Sequence, residues 1–327
     1  MKSRLHAYIG TFRQLEILLA VHEQGSITAA SEALHLTQPT VSMQMKKLVD
    51  AIGLPLYDQV GRKLVFTEAG EAVVRSAREI LQRLEDLDMT LADFKGLKAG
   101  TLRLGVVTTS KYFIPHLLGD FCRRYPDIDV ELKVANRRQI LERLESGLDD
   151  FYVFSHPPED DRVVLHEFLP NPLVAIAPED HPLARKTKVT LQEFAAYPFL
   201  MRESGSGTRH AIEAAMHKRG VQLNVKMTIE SNEAIKHAVI SGLGVSIVSG
   251  HTLTYGGRTG LRELNVSHLP IVNSWHLAHL KNKRMSVIGR AFLDYVNSEG
   301  RTGMLAILVQ DHPHLGQLFG GSPGGLA

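Results

Sequence analysis

At 327 residues the chain is longer than one ordinary core sustains, so two or three domains are expected. Its 37 Lys and Arg nearly balance 35 Asp and Glu, a formal net charge of +2, so any nucleic-acid binding must be local or shared between copies. The single cysteine, Cys122, excludes an intrachain disulfide and a multi-cysteine zinc site and suits a reducing compartment. Cys122 falls in the apolar stretch FIPHLLGDFC and reads as a buried, inert thiol. The start MKSRLHAYIG lacks the apolar core of a secretion signal, and no run approaches the roughly 18 residues that span a bilayer. A soluble, cytoplasmic protein with no membrane partner is expected.

Residues 12–21 read as a helix, with Phe12, Leu15, Leu18, Leu19 and Val21 available to pack beneath the next pair of helices. In SITAASEALHLTQPTVSMQMKKL, residues 26–48, two helical patterns flank a break at Thr37-Gln38-Pro39. Thr37 or Gln38 can cap the second helix, and Pro39 suits a first turn, where its missing N–H costs nothing. Val41, Met45, Leu48 and Val49 form its apolar stripe. The opposite face presents Gln38, Pro39, Thr40, Ser42, Gln44 and Lys47, short polar groups suited to base edges and phosphates. This is a helix-turn-helix pattern. LPLYDQVGRKLVFTEAG then alternates apolar and polar residues around Gly61-Arg62, a hairpin wing with Arg62 and Lys63 at its tip. Up to Phe66 there are seven Lys and Arg against five Asp and Glu, so one copy would bind DNA weakly and two together more strongly. A small helical bundle without nucleic-acid affinity is the plain alternative.

The run from Phe12 to Gly70 resembles the N-terminal domain of the LysR-type transcriptional regulators, and the layout to about Glu299 fits that family. The resemblance implies a regulator that binds double-stranded promoter DNA, answers to a small-molecule effector, contacts RNA polymerase and assembles as a dimer of dimers. Met43 stands where many family members carry Arg or Lys, a departure that puts one major-groove contact of the family's pattern in doubt.

From Thr67 a helix rich in Ala, Leu, Glu and Arg runs to Lys95, with an acid in its first turn. Val73, Ala77, Ile80, Leu84, Leu87, Leu91 and Phe94 step by 4, 3, 4, 3, 4 and 3, a narrow seam for pairing with a second copy. In the resembled family this helix joins two subunits. Gly96-Leu97-Lys98-Ala99-Gly100 breaks it.

Beyond Thr101, strands alternate with helices, as in a parallel α/β sheet. TLRLGVV, DIDVELKV, LVAIAP, VKMTIES and GVSIVS read as strands of two similar lobes. Trp275 to Leu280 and a last helix over residues 285–297 return to the first lobe. The fold class is therefore α/β: a winged helix-turn-helix and linker helix, then a two-lobed effector domain resembling periplasmic binding proteins. The expected divisions are 1–66, 67–98, 99–299 and a poorly ordered tail 300–327, in which only MLAILV (residues 304–309) could dock.

Ligands of such sheets sit beyond the strand ends, at the N-termini of following helices. Thr108-Thr109-Ser110-Lys111, the run Arg202 to Arg209 and Ser231-Asn232 qualify. In the second, two glycines, hydroxyls and two arginines point to an anion, and the missing Lys excludes a nucleotide P-loop. Family resemblance implies an effector pocket of Thr108, Thr109, Ser110, Asn136, Ser155, Arg202, Ser204, Ser206, Thr208 and Asn232. Arg137 and Arg138 read as an exposed helix start. No cofactor is expected; the effector would be a small anion such as a phosphorylated sugar, NADPH or a sulfur oxyanion.

The stretches TQPTVSMQMKKL, NPLVAIAPEDHPLA and RESGSGTR most resemble regulators of carbon-dioxide-fixation (Rubisco) operons, with a sulfite- or cysteine-related branch as the alternative. The sixteen histidines show no metal-binding helical pair; His276 and His279 would face opposite sides of a strand, and His312 and His314 lie in the tail, so no metal site is expected. An enzyme built on the α/β half lacks a nucleophile elbow or triad order, and a mere ligand carrier leaves the recognition helix unexplained.

Overall fold

The computed structural model describes residues 11–60, 63–94 and 100–318. The chain divides into two compact units, one ending at Gly96 and the other beginning at Leu97.

The first unit opens with α1 (Phe12–Gln24), α2 (Ile27–Ala33) and α3 (Gln38–Ile52). The Ser26 side chain accepts from the Ala29 N–H at 3.0 Å, and Thr37 caps α3 by accepting from Thr40, so polar residues at the breaks define both starts. Leu15, Ile17, Leu18, Val21, Ala30, Val41, Met45 and Leu48 close the core between them. Phe12 does not join it; its side chain is exposed. Antiparallel β1 (Tyr57–Val60) and β2 (Lys63–Phe66) form the wing, paired through Val60 and Lys63. Arg62, expected at its tip, and the Lys63 side chain lie outside the described residues.

α4 (Glu68–Phe94) comes next, with Thr67 accepting from the Gly70 N–H at 3.0 Å. A Cβ at Gly70 would stand 1.9 Å from the Leu56 carbonyl oxygen, so this turn can pass the base of the wing only as glycine. The expected seam divides. Ala77 is buried and Val73 packs against the unit's own core, which removes both from any intermolecular stripe. Ile80, Leu87 and Leu91 are 40%, 52% and 46% exposed, and Leu84 is half-buried. The Phe94 side chain lies outside the described residues.

The second unit is built on a seven-stranded sheet in the order β10-β6-β11-β5-β3-β4, with β9 also paired to β6. Its strands are β3 (Gly100–Val107), β4 (Ile128–Ala135), β5 (Phe151–Phe154), β6 (Val163–Pro178), β9 (Ser246–Ser249), β10 (Leu261–Leu264) and β11 (Ile271–Leu280). β3, β4 and β5 are mutually parallel, and α5 (Ile114–Arg124) and α6 (Arg137–Glu145) connect them. β7 (Pro198–Arg202) and β8 (Asn224–Ile229) form a parallel pair that reaches the rest through a bridge from Phe199 to Val245. The sheet is not wholly parallel as expected: β6 and β11 pair antiparallel along their length and run through both lobes. They are the two crossover strands. α7 (Leu191–Ala195), α8 (Gly207–His217), α9 (Asn232–Ile240) and α10 (Gly250–Gly256) belong to the second lobe. α11 (Val287–Tyr295) returns to the first, where Phe292 packs edge-on against Phe121 and tilted against Phe151. Cys122 on α5 is half-buried, less than the apolar stretch suggests, and burial pushes its thiol up.

Of the segment expected to be poorly ordered, residues 300–318 are described and folded. A π-helical turn, Val296–Gly300, leads into α12 (Arg301–Asp311), where Met304 and Leu308 are buried, as is Leu315 beyond it. His312 is fully buried, bonded to Glu263 at 2.8 Å and to Thr254 at 3.1 Å. MLAILV docks as expected, and His312, placed by its sequence in a Gly/Pro-rich tail, bonds to Thr254 of α10.

On the first turn of α10 sits His251, fully buried against Phe113 and bonded to the Pro170 carbonyl oxygen at 2.8 Å. Burial first, then the nearby His312, pushes its pKa down to about 4, against the Pro170 bond that raises it. The folded imidazole stays neutral while the unfolded chain takes up a proton below about pH 6.5. Its stabilising contribution is therefore complete above pH 6.5 and lost as pH falls toward 4. From pH 7 to 5 this group should cost the second unit about 2 kcal/mol, and His251→Gln should flatten that slope. Urea titrations at the two pH values, read by Trp275 fluorescence, give the comparison; equal slopes would disprove it.

Candidate functional site

In the first unit the outward face of α3 exposes Gln38, Pro39, Ser42 and Lys47, with Thr40 half-buried. Thr40 Oγ1 lies 2.8 Å from Thr37 Oγ1, so the capping residue also orients it. Gln44 departs from the expected row: its Oε1 accepts from Gln14 of α1 at 2.8 Å, which ties it to the neighbouring helix. Lys46 is exposed beside Lys47, and Met43 is 48% exposed between them and Ser42.

In the second unit a small cleft separates the lobes at the ends of β3, β5 and β7. Thr108, Thr109, Ser155, Arg202, Ser206 and Thr208 line it, six of the expected effector residues. Arg137 lines it too, although its sequence suggests only an exposed helix start, and so do His156, Glu203 and Gly207. The remaining expected residues are used elsewhere. Ser110 is buried and donates to the Val107 carbonyl oxygen at 2.7 Å. Asn136 caps α6 in a capping box with Gln139. Ser204 is exposed at a turn. Asn232 lies behind the lining, joined to Arg202 and to Thr109.

The supposed loop from Arg202 to Arg209 is a strand end, a short turn and the first turn of α8. Ser206 is the N-cap without a side-chain cap bond, and it lines the cleft together with Gly207 and Thr208 of the first turn of α8. A Cβ at Gly207 would meet Ser155 Oγ at 2.6 Å, which explains a glycine where the lobes approach most closely. Arg209 pairs with Glu213 and donates to the Arg202 carbonyl oxygen, so it is not an anion ligand here.

Arg202 is the most constrained group of the cleft. Its side chain is 2% exposed and forks onto Glu203, from Nε at 2.7 Å and from one terminal nitrogen at 2.8 Å. The other terminal nitrogen donates to Asn232 at 2.8 Å and Thr109 at 3.1 Å, and the first also reaches Thr108 at 3.2 Å. Thr108 and Thr109 belong to the first lobe, so Arg202 ties the lobes together. His156 and His210 stack with ring centroids 3.9 Å apart, and burial, then His210 and Arg137, pushes His156 below its ordinary range. The cleft has a cavity volume of about 20 Å³, room for roughly one water molecule. A larger cavity, about 410 Å³, lies by β10 and the C-terminal segment, but its charged groups are paired with one another, Arg258 with Asp311 and Glu263 with His312. The cleft carries the chemistry despite its smaller volume, because its polar groups converge from both lobes.

A family model described as the LysR substrate binding domain matches residues 95–301, and one for the bacterial regulatory helix-turn-helix protein, lysR family, matches residues 12–71. The chain belongs to the LysR family of transcriptional regulators. Among LysR relatives, the transcriptional activator CmpR of Synechocystis sp. is 47% identical over 287 residues, 88% of this chain and 94% of that protein. The RuBisCO operon transcriptional regulator of Acidithiobacillus ferrooxidans is 39% identical, covering 90% of this chain and 96% of its own. The CcmR regulatory domain of Synechocystis, solved in complex with 2-phosphoglycolate, superposes with a TM-score of 0.58 at 45% identity, over 61% of this chain and 97% of that one. Full-length OxyR from Pseudomonas aeruginosa has a TM-score of 0.68 at 21% identity over 89% of this chain and 94% of that one, a likeness of fold alone. These relatives are named as regulators, which sets the enzyme alternative aside. Among the described residues no helix is long and apolar enough to cross a membrane.

Proposed function

We propose that this LysR-family protein controls genes of carbon-dioxide fixation, binding promoter DNA through α3 and the wing, with a small phosphorylated or carboxylated anion as effector in the interlobe cleft. The observation that carries the effector half is the convergence of hydroxyls, the α8 N-terminus and arginine at one cleft between lobes. The gene class follows from relatives named for RuBisCO operons. The sulfur-metabolism alternative has no comparable support. Two copies joined through Ile80, Leu84, Leu87 and Leu91 would read a pseudo-palindromic site, and effector binding would bias the lobes and thereby the DNA bend.

The test is a retardation assay on a carbon-fixation promoter fragment, with and without 2-phosphoglycolate. An altered shift on that fragment and none on random DNA supports the reading; an identical response on both refutes it. Gln38→Ala should lose about 1–3 kcal/mol on the specific site and little on random DNA. Arg62→Ala should weaken both and flatten the salt dependence. Equal losses for Gln38→Ala on the two DNAs would refute the assigned face.

A further inference from the structure

Three arginines approach the cleft from its lining or from the start of α8, and their donors are spent very differently. Arg202 has all five N–H groups engaged, by Glu203, Thr108, Thr109 and Asn232, and its charge is balanced by the Glu203 carboxylate. Arg209 is bonded to Glu213 and to backbone. Arg137 differs from both. Its Nε donates to the His156 carbonyl oxygen at 2.9 Å, which holds the guanidinium plane, while its terminal nitrogens have no partner among the described residues. No carboxylate pairs with it there, and burial lowers its pKa, as expected of a partly desolvated cation. It lines the cleft beside Thr108, Ser155, Ser206 and Thr208.

Resting on the proposed effector role of the cleft, we propose that Arg137 is the guanidinium that grips the effector's anionic group, and that Arg202 is a tie between lobes that makes no contact with it. With Nε anchored, the two terminal nitrogens of Arg137 form a fork that matches two oxygens of a phosphate or carboxylate. The hydroxyls of Ser206 and Thr208 and the first N–H groups of α8 complete the shell from the other lobe. An anion at this point is held by both lobes at once, because its ligands come from both. Arg138, next in sequence, is 82% exposed and faces Glu142 at 4.0 Å, so it serves as an internal control.

The experiment is calorimetric titration of the full chain with 2-phosphoglycolate, ribulose bisphosphate, phosphoenolpyruvate, inorganic phosphate and glycolate. The proteins compared are wild type, Arg137→Gln, Arg137→Lys and Arg138→Gln. Arg137→Gln should weaken the phosphorylated ligand roughly ten- to hundredfold, with an unchanged ligand-free melting temperature. Arg137→Lys should recover part of that loss, and Arg138→Gln should match wild type. The preference for 2-phosphoglycolate over glycolate should shrink in Arg137→Gln, which a merely structural role would not produce. Wild-type affinity in Arg137→Gln, or a fall of several degrees in its ligand-free melting, overturns the assignment and leaves the effector reading standing. Silence of the wild type toward every anion overturns both.

Discussion

Ending the chain at Gly300 should leave the second unit at the edge of unfolding while the first unit is untouched. The deletion removes Met304, Leu308 and Leu315, each buried. At about 1.5–3 kcal/mol per buried apolar side chain, the loss is roughly 5 kcal/mol or more, before the ordering entropy returned by the freed segment is counted. That is comparable with the whole stability of an ordinary domain, about 5–15 kcal/mol. The deletion also removes His312, which is bonded to Glu263 and Thr254. Trp275, fully buried and the sole tryptophan, reports on this unit directly. Urea unfolding followed by its fluorescence should show the truncated chain unfolding at far lower denaturant. An unchanged midpoint would mean that α12 only drapes the surface.

Arg202→Ala is expected to cost the second unit about 3–5 kcal/mol, the usual effect of removing one partner from a buried ion pair. The penalty arises from what remains: a Glu203 carboxylate with its side chain only 17% exposed, and Asn232 and Thr109 without their shared cation. Replacing both partners with apolar side chains, Arg202→Met with Glu203→Leu, should recover much of the loss, because the stranded charge is gone. The same Trp275 signal measures both variants. A loss below about 1 kcal/mol for Arg202→Ala would show that the fork is too solvated to matter. On sequence grounds Arg202 is the natural choice for an anion ligand, yet its stability effect would come from holding Thr108 and Thr109 of one lobe to Asn232 of the other.

Local physics made the first unit readable. A capping hydroxyl at Thr37 and an apolar stripe through Val41, Met45 and Leu48 are contained within a few residues of the helix they define. The alternation of strands and helices after Thr101 and the two-lobed plan were readable for the same reason. Six of the residues expected at the effector pocket line one cleft, because the ends of strands in such sheets converge whatever the side chains are. What the sequence by itself determined is thus the order and kind of elements and the ends at which chemistry gathers.

Tertiary structure decided how each polar side chain is spent. Ser110 and Asn136 have the right chemistry for a ligand but satisfy local backbone groups instead, and Gln44 turns to Gln14. Arg202 and Arg137 are the same residue type at comparable strand ends; only the gathering of Glu203, Thr108, Thr109 and Asn232 around one guanidinium saturates it and leaves the other's fork open. Ala77 satisfied a heptad pattern yet lies in its own unit's core, and His312, in a stretch expected to be poorly ordered, is buried where α10 supplies a partner. In most of these cases the deciding partner is distant in the chain. Periodicity records which face of an element is apolar, but the donor that a buried charge meets is set by packing between elements, and burial makes that pairing matter energetically.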